Sequence, residues 1–229
     1  MDRLTGVAEL LDGPLDDHAA LDGNLRDLAR VNRLTGGARL SVRAIAALGD
    51  MTTLLDVGTG AADIPMTLLA RARAARRALS ITATDSRPEI LAAARRARPA
   101  IDRTAGLELA VADGRGLPYP DRAFDVAHAS LVLHHLGPDE VVRFLRELRR
   151  VARRGIVVND LIRGRQFWLG GWLIVHAIGT SRYTRHDGPL SVRRAYSRTE
   201  MRAMLAIAGL TPVAEFAGLA GHRVSIAAR

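Results

Sequence analysis

Residues Leu54–Pro65 read LLDVGTGAADIP. A hydrophobic run ends on Asp56, two glycines alternate with small residues, and a helical pattern begins. A strand must turn sharply into a helix here. Gly58 and Gly60 permit positive φ and let a ligand come close to the main chain. The helix start offers free N–H groups and the positive end of a dipole. Such a turn binds with backbone and leaves its space open. A tight turn without a ligand has the same residues, so the glycine pair alone does not decide.

The surrounding sequence supplies the context. "TLLDV" (53–57), "SITAT" (80–84), "LELAVA" (107–112), "FDVAHA" (124–129) and "GIVVN" (155–159) read as strands. Helical patterns fill 61–78, 87–97 and 138–153 between them. This alternation predicts an α/β fold with a mostly parallel sheet covered by helices on both faces. Residues 1–48 read as helical, broken at Gly36–Gly37, and residues 1–49 are assigned to an N-terminal helical cap on a domain at 50–229. The rhythm stops at 161–196, a long insertion without strands. A helix at 198–209 follows, capped by Ser197 or Thr199 and closed by Gly209. The tail reads as two strands joined by a short turn.

Composition sets limits. The chain has 229 residues, 48% of them hydrophobic, and no cysteine. That is enough to bury a core, excludes disulfides and thiolate metal sites, and fits a reducing cytoplasm. The net charge is +9, and every base is arginine. The bases do not cluster along the chain. Arg143, Arg146, Arg149, Arg150 and Arg153 lie opposite Val141, Phe144, Leu145, Leu148 and Val151, as on the solvated face of an amphipathic helix. A nucleic-acid partner is disfavoured. No signal peptide is expected. The apolar stretch Phe167–Ile178 is too short to span a bilayer and holds His176.

The acids narrow the ligand. A dinucleotide fingerprint would place its third glycine at position 63, where Asp63 would repel a pyrophosphate. The pattern is instead acid-x-Gly-x-Gly-x-small, formed by Asp56, Gly58, Gly60 and Ala62, and an acid at Asp56 suits a cationic ligand. Asp85 ends the second strand, where a carboxylate can accept both hydroxyls of a ribose. Asp113 ends the third, where one can accept from an exocyclic amine. Each alone could be a helix cap; three at the ends of successive strands are harder to dismiss.

With LLDVGTGAADIP, ITATDSRPEIL, VADGRGLPYPDRAFDVAHASLVLHHL and RRGIVVND in view, the chain resembles class I S-adenosylmethionine-dependent methyltransferases over nearly all of 50–229. Within them it looks similar to the ubiquinone/menaquinone-biosynthesis-like branch and to small-molecule methyltransferases of bacterial secondary metabolism. Ala62 departs from a third glycine, with little loss expected. The resemblance implies a Rossmann-like seven-stranded sheet with the last strand antiparallel, and S-adenosyl-L-methionine as cofactor. Gly58 and Gly60 would line its methionine part, with Asp56 near the amino group. Asp85 would hold the ribose, Ser86 and Arg87 would lie beside the adenine, and Asp113 and Gly114 would hold the adenine edge. Ser130 and Leu131 would lie near the sulfonium.

A phenolic acceptor would need a base, and histidine is the usual one near neutral pH. The candidates are His134 and His135 after the fourth strand, Asp160 after the fifth, and His186, the preferred alternative. His134 and His135 read first as a hydrogen-bonded structural pair, and His128 as a buried structural residue. The insertion should cover the acceptor pocket: Trp168 and Trp172 as an apolar wall, or equally as part of a lid helix packed on the core, and Arg182, Tyr183, Arg193 and Tyr196 as groups for a carboxylate or enol oxygen, or equally as a solvated loop with internal salt bridges. Arg30–Gly37 could close the other side. No His/Asp/Glu grouping has metal-ligand spacing.

The leading expectation is methyl transfer to an apolar hydroxylated aromatic, polyketide- or quinone-like small molecule, O-methylation slightly preferred over C-methylation. A homodimer is left open. An RNA methyltransferase draws on the charge, but no RNA-binding module is appended and no Asn-Pro-Pro-Tyr-like tetrad follows the fourth strand. A non-catalytic cofactor-binding partner protein is the third reading; a nicotinamide oxidoreductase is opposed by Asp63.

Overall fold

The computed structural model describes residues 1–229. Seven strands form one sheet: β1 (Thr53–Val57), β2 (Ser80–Asp85), β3 (Leu107–Val111), β4 (Phe124–Ser130), β5 (Ala152–Leu161), β6 (Pro212–Ala217) and β7 (Arg223–Ala228). Their order is β3-β2-β1-β4-β5-β7-β6. β7 runs antiparallel to both its neighbours, β5 and β6, and the other six strands share one direction. The order reverses between β1 and β4, which pair in parallel. Connections there leave toward opposite faces, so a crevice opens beyond the carboxyl ends of the two strands.

The helices are α1 (His18–Thr35), α2 (Gly37–Ala46), α3 (Asp63–Ala74), α4 (Pro88–Ala97), α5 (Pro138–Val151), α6 (Arg165–Ile178), α7 (Arg182–Arg194) and α8 (Arg198–Ile207). No helix is long and apolar enough to cross a membrane. α5 shows why these segments fold as they do. Pro138 pre-sets its first turn, and Glu140 accepts the Gly137 N–H at 2.9 Å. Val141, Phe144, Leu145, Leu148 and Val151 then fall on one stripe and are buried, while Arg143, Arg146 and Arg149 are exposed. α8 starts at Ser197, whose hydroxyl accepts from the Glu200 N–H.

Three expectations are corrected. α5 stops at Val151, and residues 152–154 already belong to β5: Phe124 pairs with Ala152, and Arg153 and Arg154 reach Asp125. Strand pairing overrides the helical pattern. The insertion 161–196 is not strand-free at its ends, since β5 runs to Leu161 and Ile162 bridges Tyr196. Its second half is the helix α7, not a loop.

The third correction concerns residues 1–17, which are not helical apart from a short 3-10 turn at Leu10–Asp12. They form an extended strap. Leu4 N–H donates to the Arg193 carbonyl at 3.0 Å, and Arg3 donates to the Arg194 and Leu136 carbonyls at 2.7 and 2.8 Å. The Leu10 and Leu11 N–H groups donate to the Asp187 carboxylate at 2.8 and 3.1 Å. Strap and α7 thus satisfy each other's polar groups. The buried face of α7 contains Thr184, Asp187, Ser191 and Arg194 beside Tyr183 and Val192, so it carries little hydrophobic signal.

Asp27 on α1 fastens the other end of α7. It is buried and accepts the Thr180 and Ser181 N–H groups at 2.7 and 2.9 Å and the Thr184 hydroxyl at 2.9 Å. Burial alone would raise its carboxyl, but these hydrogen bonds hold it below its ordinary value. Asp27→Ala leaves buried donors unpaired and is expected to cost about 2–4 kcal/mol by urea unfolding. The Asp27 contribution should be complete above the unfolded carboxyl pKa of about 3.9 and disappear as pH falls through the lower folded value. A change under about 0.5 kcal/mol would contradict this anchoring role.

Candidate functional site

A cavity of about 530 Å³ occupies the crevice. Its floor is the turn after β1. Gly58, Gly60 and Ala62 all take positive φ, at +73°, +52° and +52°, before α3 begins at Asp63. A Cβ on Gly58 would stand 2.4 Å from Val132 Cγ2, whereas one on Gly60 meets nothing within 4 Å. Ala62 is buried in this left-handed conformation, which costs an L-residue about 1–2 kcal/mol. The departure from glycine is therefore strained, not merely small.

The walls come from the next strand ends. Asp85, at the end of β2, accepts the Gly60 and Arg87 N–H groups, both at 3.2 Å. Burial pushes its carboxyl up. Asp113, after β3, is bound by Arg115 at 2.8 Å, and the same guanidinium reaches Glu140 at 3.0 Å. Those hydrogen bonds hold the Asp113 carboxyl below its ordinary value. Gly114 has no room for a side chain: a Cβ there would lie 2.3 Å from Phe144 Cε2. Ser86, Arg87, Ser130 and Leu131 complete the set, so all ten residues singled out for a cofactor line this one cavity.

Beneath the floor runs a buried polar chain. Asp56 pairs with His128 Nδ1, and His128 Nε2 meets Ser41 Oγ at 2.8 Å. Asn159 donates to Ser41 at 2.7 Å, and Arg223 donates to Asn159, Asn32 and Ser130, each at 2.7 Å. Asn32 donates to Asp63 at 3.2 Å. The fully buried guanidinium of Arg223 is pushed down to about 10 by loss of solvation. Sequence reading missed Arg223; its signal was a charge opening the otherwise buried strand RVSIAA.

The catalytic and acceptor candidates are dispersed. Of the four proposed bases only His135 lines the cavity. Its Nδ1 is paired with Asp12 at 2.9 Å, and its Nε2 lies 3.8 Å from Glu9. Asp12, which the sequence did not reveal, lines the cavity too. His134 and Asp160 are buried against each other at 2.7 Å, and Asp160 also accepts the Leu133 N–H. Burial works against the Asp160 charge, but His134 and the hydrogen bonds draw its carboxyl below its ordinary value. His186 is half exposed on α7 and paired with Asp187, away from the cavity.

None of the six acceptor candidates reaches the cavity. Trp168 and Trp172 sit on the exposed side of α6, Trp172 stacked on His176. Arg182 pairs with Asp17, and Arg193 is exposed. Tyr183 is buried in the cluster that holds Leu21 and Leu25 of α1. Tyr196 is buried with its hydroxyl donated to the Leu136 carbonyl at 2.7 Å. α6 and α7 pack on each other, and the strap takes the place beside the cavity that these side chains were expected to fill.

The fold also assembles a grouping that spacing did not suggest. Donor atoms of Glu9, His134 and His135 lie within 4.8 Å of one another. Burial pushes the Glu9 carboxyl up to about 7, and the Arg194 guanidinium already stands 3.7 Å from it.

The donor set fits a cationic nucleoside. Asp56, Asp63 and Asp85 place three carboxylates in the cavity wall, and the buried Thr59 hydroxyl in the same wall has no hydrogen-bond partner. Two glycine variants separate fold from binding. Gly114→Ala should overpack against Phe144 and cost about 1–3 kcal/mol in thermal melts. Gly60→Ala has room for its methyl only in the cavity, so it should weaken S-adenosylhomocysteine binding while costing stability only the strain of positive φ, about 1–2 kcal/mol. Equal binding by Gly60→Ala and wild type would contradict the placement.

Comparison with known proteins agrees with this geometry. Residues 55–158 match the family model for a methyltransferase domain. A search of curated proteins finds no match. A SAM-dependent methyltransferase from Aquifex aeolicus superposes with a TM-score of 0.60 at 20% identity, over 87% of this chain and 96% of that one. Human N-acetylserotonin methyltransferase, solved with SAM, gives 0.67 at 14% identity, over 96% of this chain and 60% of that one. Mitomycin 7-O-methyltransferase gives 0.62 at 21%, over 87% of this chain and 54% of that one. At such identities the structural likeness speaks for the fold, and the family model for the domain. Residues 55–158 are therefore similar to a methyltransferase domain, and the chain has the fold of the SAM-dependent methyltransferase it superposes on.

Proposed function

We propose that the chain methylates an oxygen of an apolar hydroxylated aromatic, polyketide- or quinone-like small molecule. The observation that carries this reading is the position of His135: it is the one histidine in the cavity wall, on the connection that follows β4. The backbone at Gly58 and Gly60 and the carboxylates of Asp56 and Asp85 would hold the cofactor, with Ser86, Arg87, Asp113 and Gly114 at its adenine end. Bound there, S-adenosylmethionine supplies a methyl group already activated by its sulfonium.

His135 would take the proton from the acceptor hydroxyl. Asp12 on Nδ1 holds the ring in one orientation and stabilises the imidazolium that forms. The strap that carries Asp12 also contributes Leu11 to the wall, and Leu131, Val132 and Leu136 add apolar surface. This suits an apolar acceptor and excludes water from the nucleophile. Two of the structural neighbours, acting on N-acetylserotonin and on mitomycin, bear names of small-molecule methyltransferases, in line with this reading.

Asp85→Ala should weaken S-adenosylmethionine binding by about 1–3 kcal/mol in calorimetry; unchanged affinity would remove Asp85 from the site. His135→Ala should lower kcat on a phenolic acceptor by about 10²–10⁴-fold, recovering as pH approaches the acceptor's own pKa. Full activity in His135→Ala at neutral pH would mean that positioning alone drives transfer.

A further inference from the structure

A second cavity, of about 680 Å³, lies between α1, α2, α3 and the end of α4. Along the chain the arginines are dispersed, but here the fold gathers six. Arg26, Arg30 and Arg33 recur at helical spacing on α1 and share a face. Arg39 comes from α2, Arg71 from the last turn of α3, and Arg98 from the residue after α4. Arg30 lies 3.4 Å from Asp27 and donates to the Ile178 carbonyl. The other five have no carboxylate within 4.0 Å. Asp63 is the one acid in this wall, it is hydrogen-bonded by Asn32, and burial pushes its carboxyl up.

Unpaired guanidinium groups around a concavity repel one another and raise the local concentration of anions. Arg33 and Arg71 lie in the last turns of their helices, where the dipole favours a cation. Arg26 and Arg39 have no such local reason. Between the arginines the surface is aliphatic, with Ala29, Ala38, Val42 and Met66, and no aromatic side chain lines it. A nucleic-acid surface would track a backbone and offer rings for bases to stack on. A cavity of small-molecule size with an aliphatic floor and a fork-shaped cationic rim suits a different ligand.

We propose that this cavity binds a small anionic amphiphile, its phosphate or carboxylate group held by the arginines and its apolar body on the aliphatic floor. The site is separate from methyl transfer, although Leu25, Asn32, Ala61 and Asp63 belong to the walls of both cavities.

Calorimetry at low ionic strength with octyl phosphate, octanoate, inorganic phosphate, octanol and a 20-nucleotide RNA tests this. At least one of octyl phosphate and octanoate should bind with 1:1 stoichiometry, at least tenfold tighter than inorganic phosphate, and weaken as salt is added. Octanol should give no heat. Which of the two acids binds tighter identifies the head group. The triple variant Arg26→Gln, Arg71→Gln, Arg98→Gln should lose at least tenfold in amphiphile affinity. The same three positions changed to lysine should retain most of it. S-adenosylhomocysteine affinity, measured on the same samples, should not change, which certifies the fold. The proposal is overturned if neither amphiphile binds, if the glutamine variant binds as wild type does, or if RNA binds tighter than both and is the ligand the variant loses.

Discussion

The structure turns on a buried cation that has no carboxylate in direct contact. Arg223 opens β7 in the interior and donates only to neutral oxygens, those of Asn159, Asn32 and Ser130. A charge in that position is tolerated only when each donor is matched, because one lost partner leaves a desolvated charge behind. The match requires β4, β5, β7 and the first helix to stand in one arrangement. Asp63 and Asp160 lie near enough to favour the charge through space. The same chain of hydrogen bonds continues through Ser41 and His128 to Asp56. The floor of the crevice is thus braced from below before any ligand arrives. Such preorganisation would serve the proposed methyl transfer, which depends on alignment as well as on proton removal.

Above that floor the turn contributes backbone and space, and the strand ends contribute charge. The two depend on each other. Gly60 can donate to Asp85 because the turn is left-handed at that point, and Asp85 is buried because the turn folds over it. A buried carboxylate with spare lone pairs favours a ligand that brings hydroxyls or a positive charge. The strap supplies the opposite wall from a remote part of the sequence and brings Asp12 to His135. The wall that carries His135 is therefore assembled by tertiary contacts, and the wall formed by the β1 turn and the strand ends by local sequence.

That division explains what the sequence discloses. The strands, the turn and the acids at Asp56, Asp85 and Asp113 are legible because each is a local pattern: a hydrophobic run, a change of period, a polar residue where the run stops. Ser130 and Leu131 follow from the family resemblance. The strap is not legible, because its partners are the polar face of α7 and backbone groups, which leave no periodicity. The same absence hides α7, whose buried Asp187 and Thr184 read as loop. Trp168 and Trp172 mislead in the other direction: aromatic residues in an insertion suggest a pocket, yet α6 turns them to its exposed side. The arginine cavity is invisible for a simpler reason, since its six residues come from four elements.

The most direct test of the central claim is a crystal structure of the chain soaked with S-adenosylhomocysteine. Density is expected along the β1 turn, with the ribose hydroxyls on Asp85 and the sulfur toward Ser130 and Leu131. Density elsewhere, or an empty crevice at saturating ligand, would contradict it.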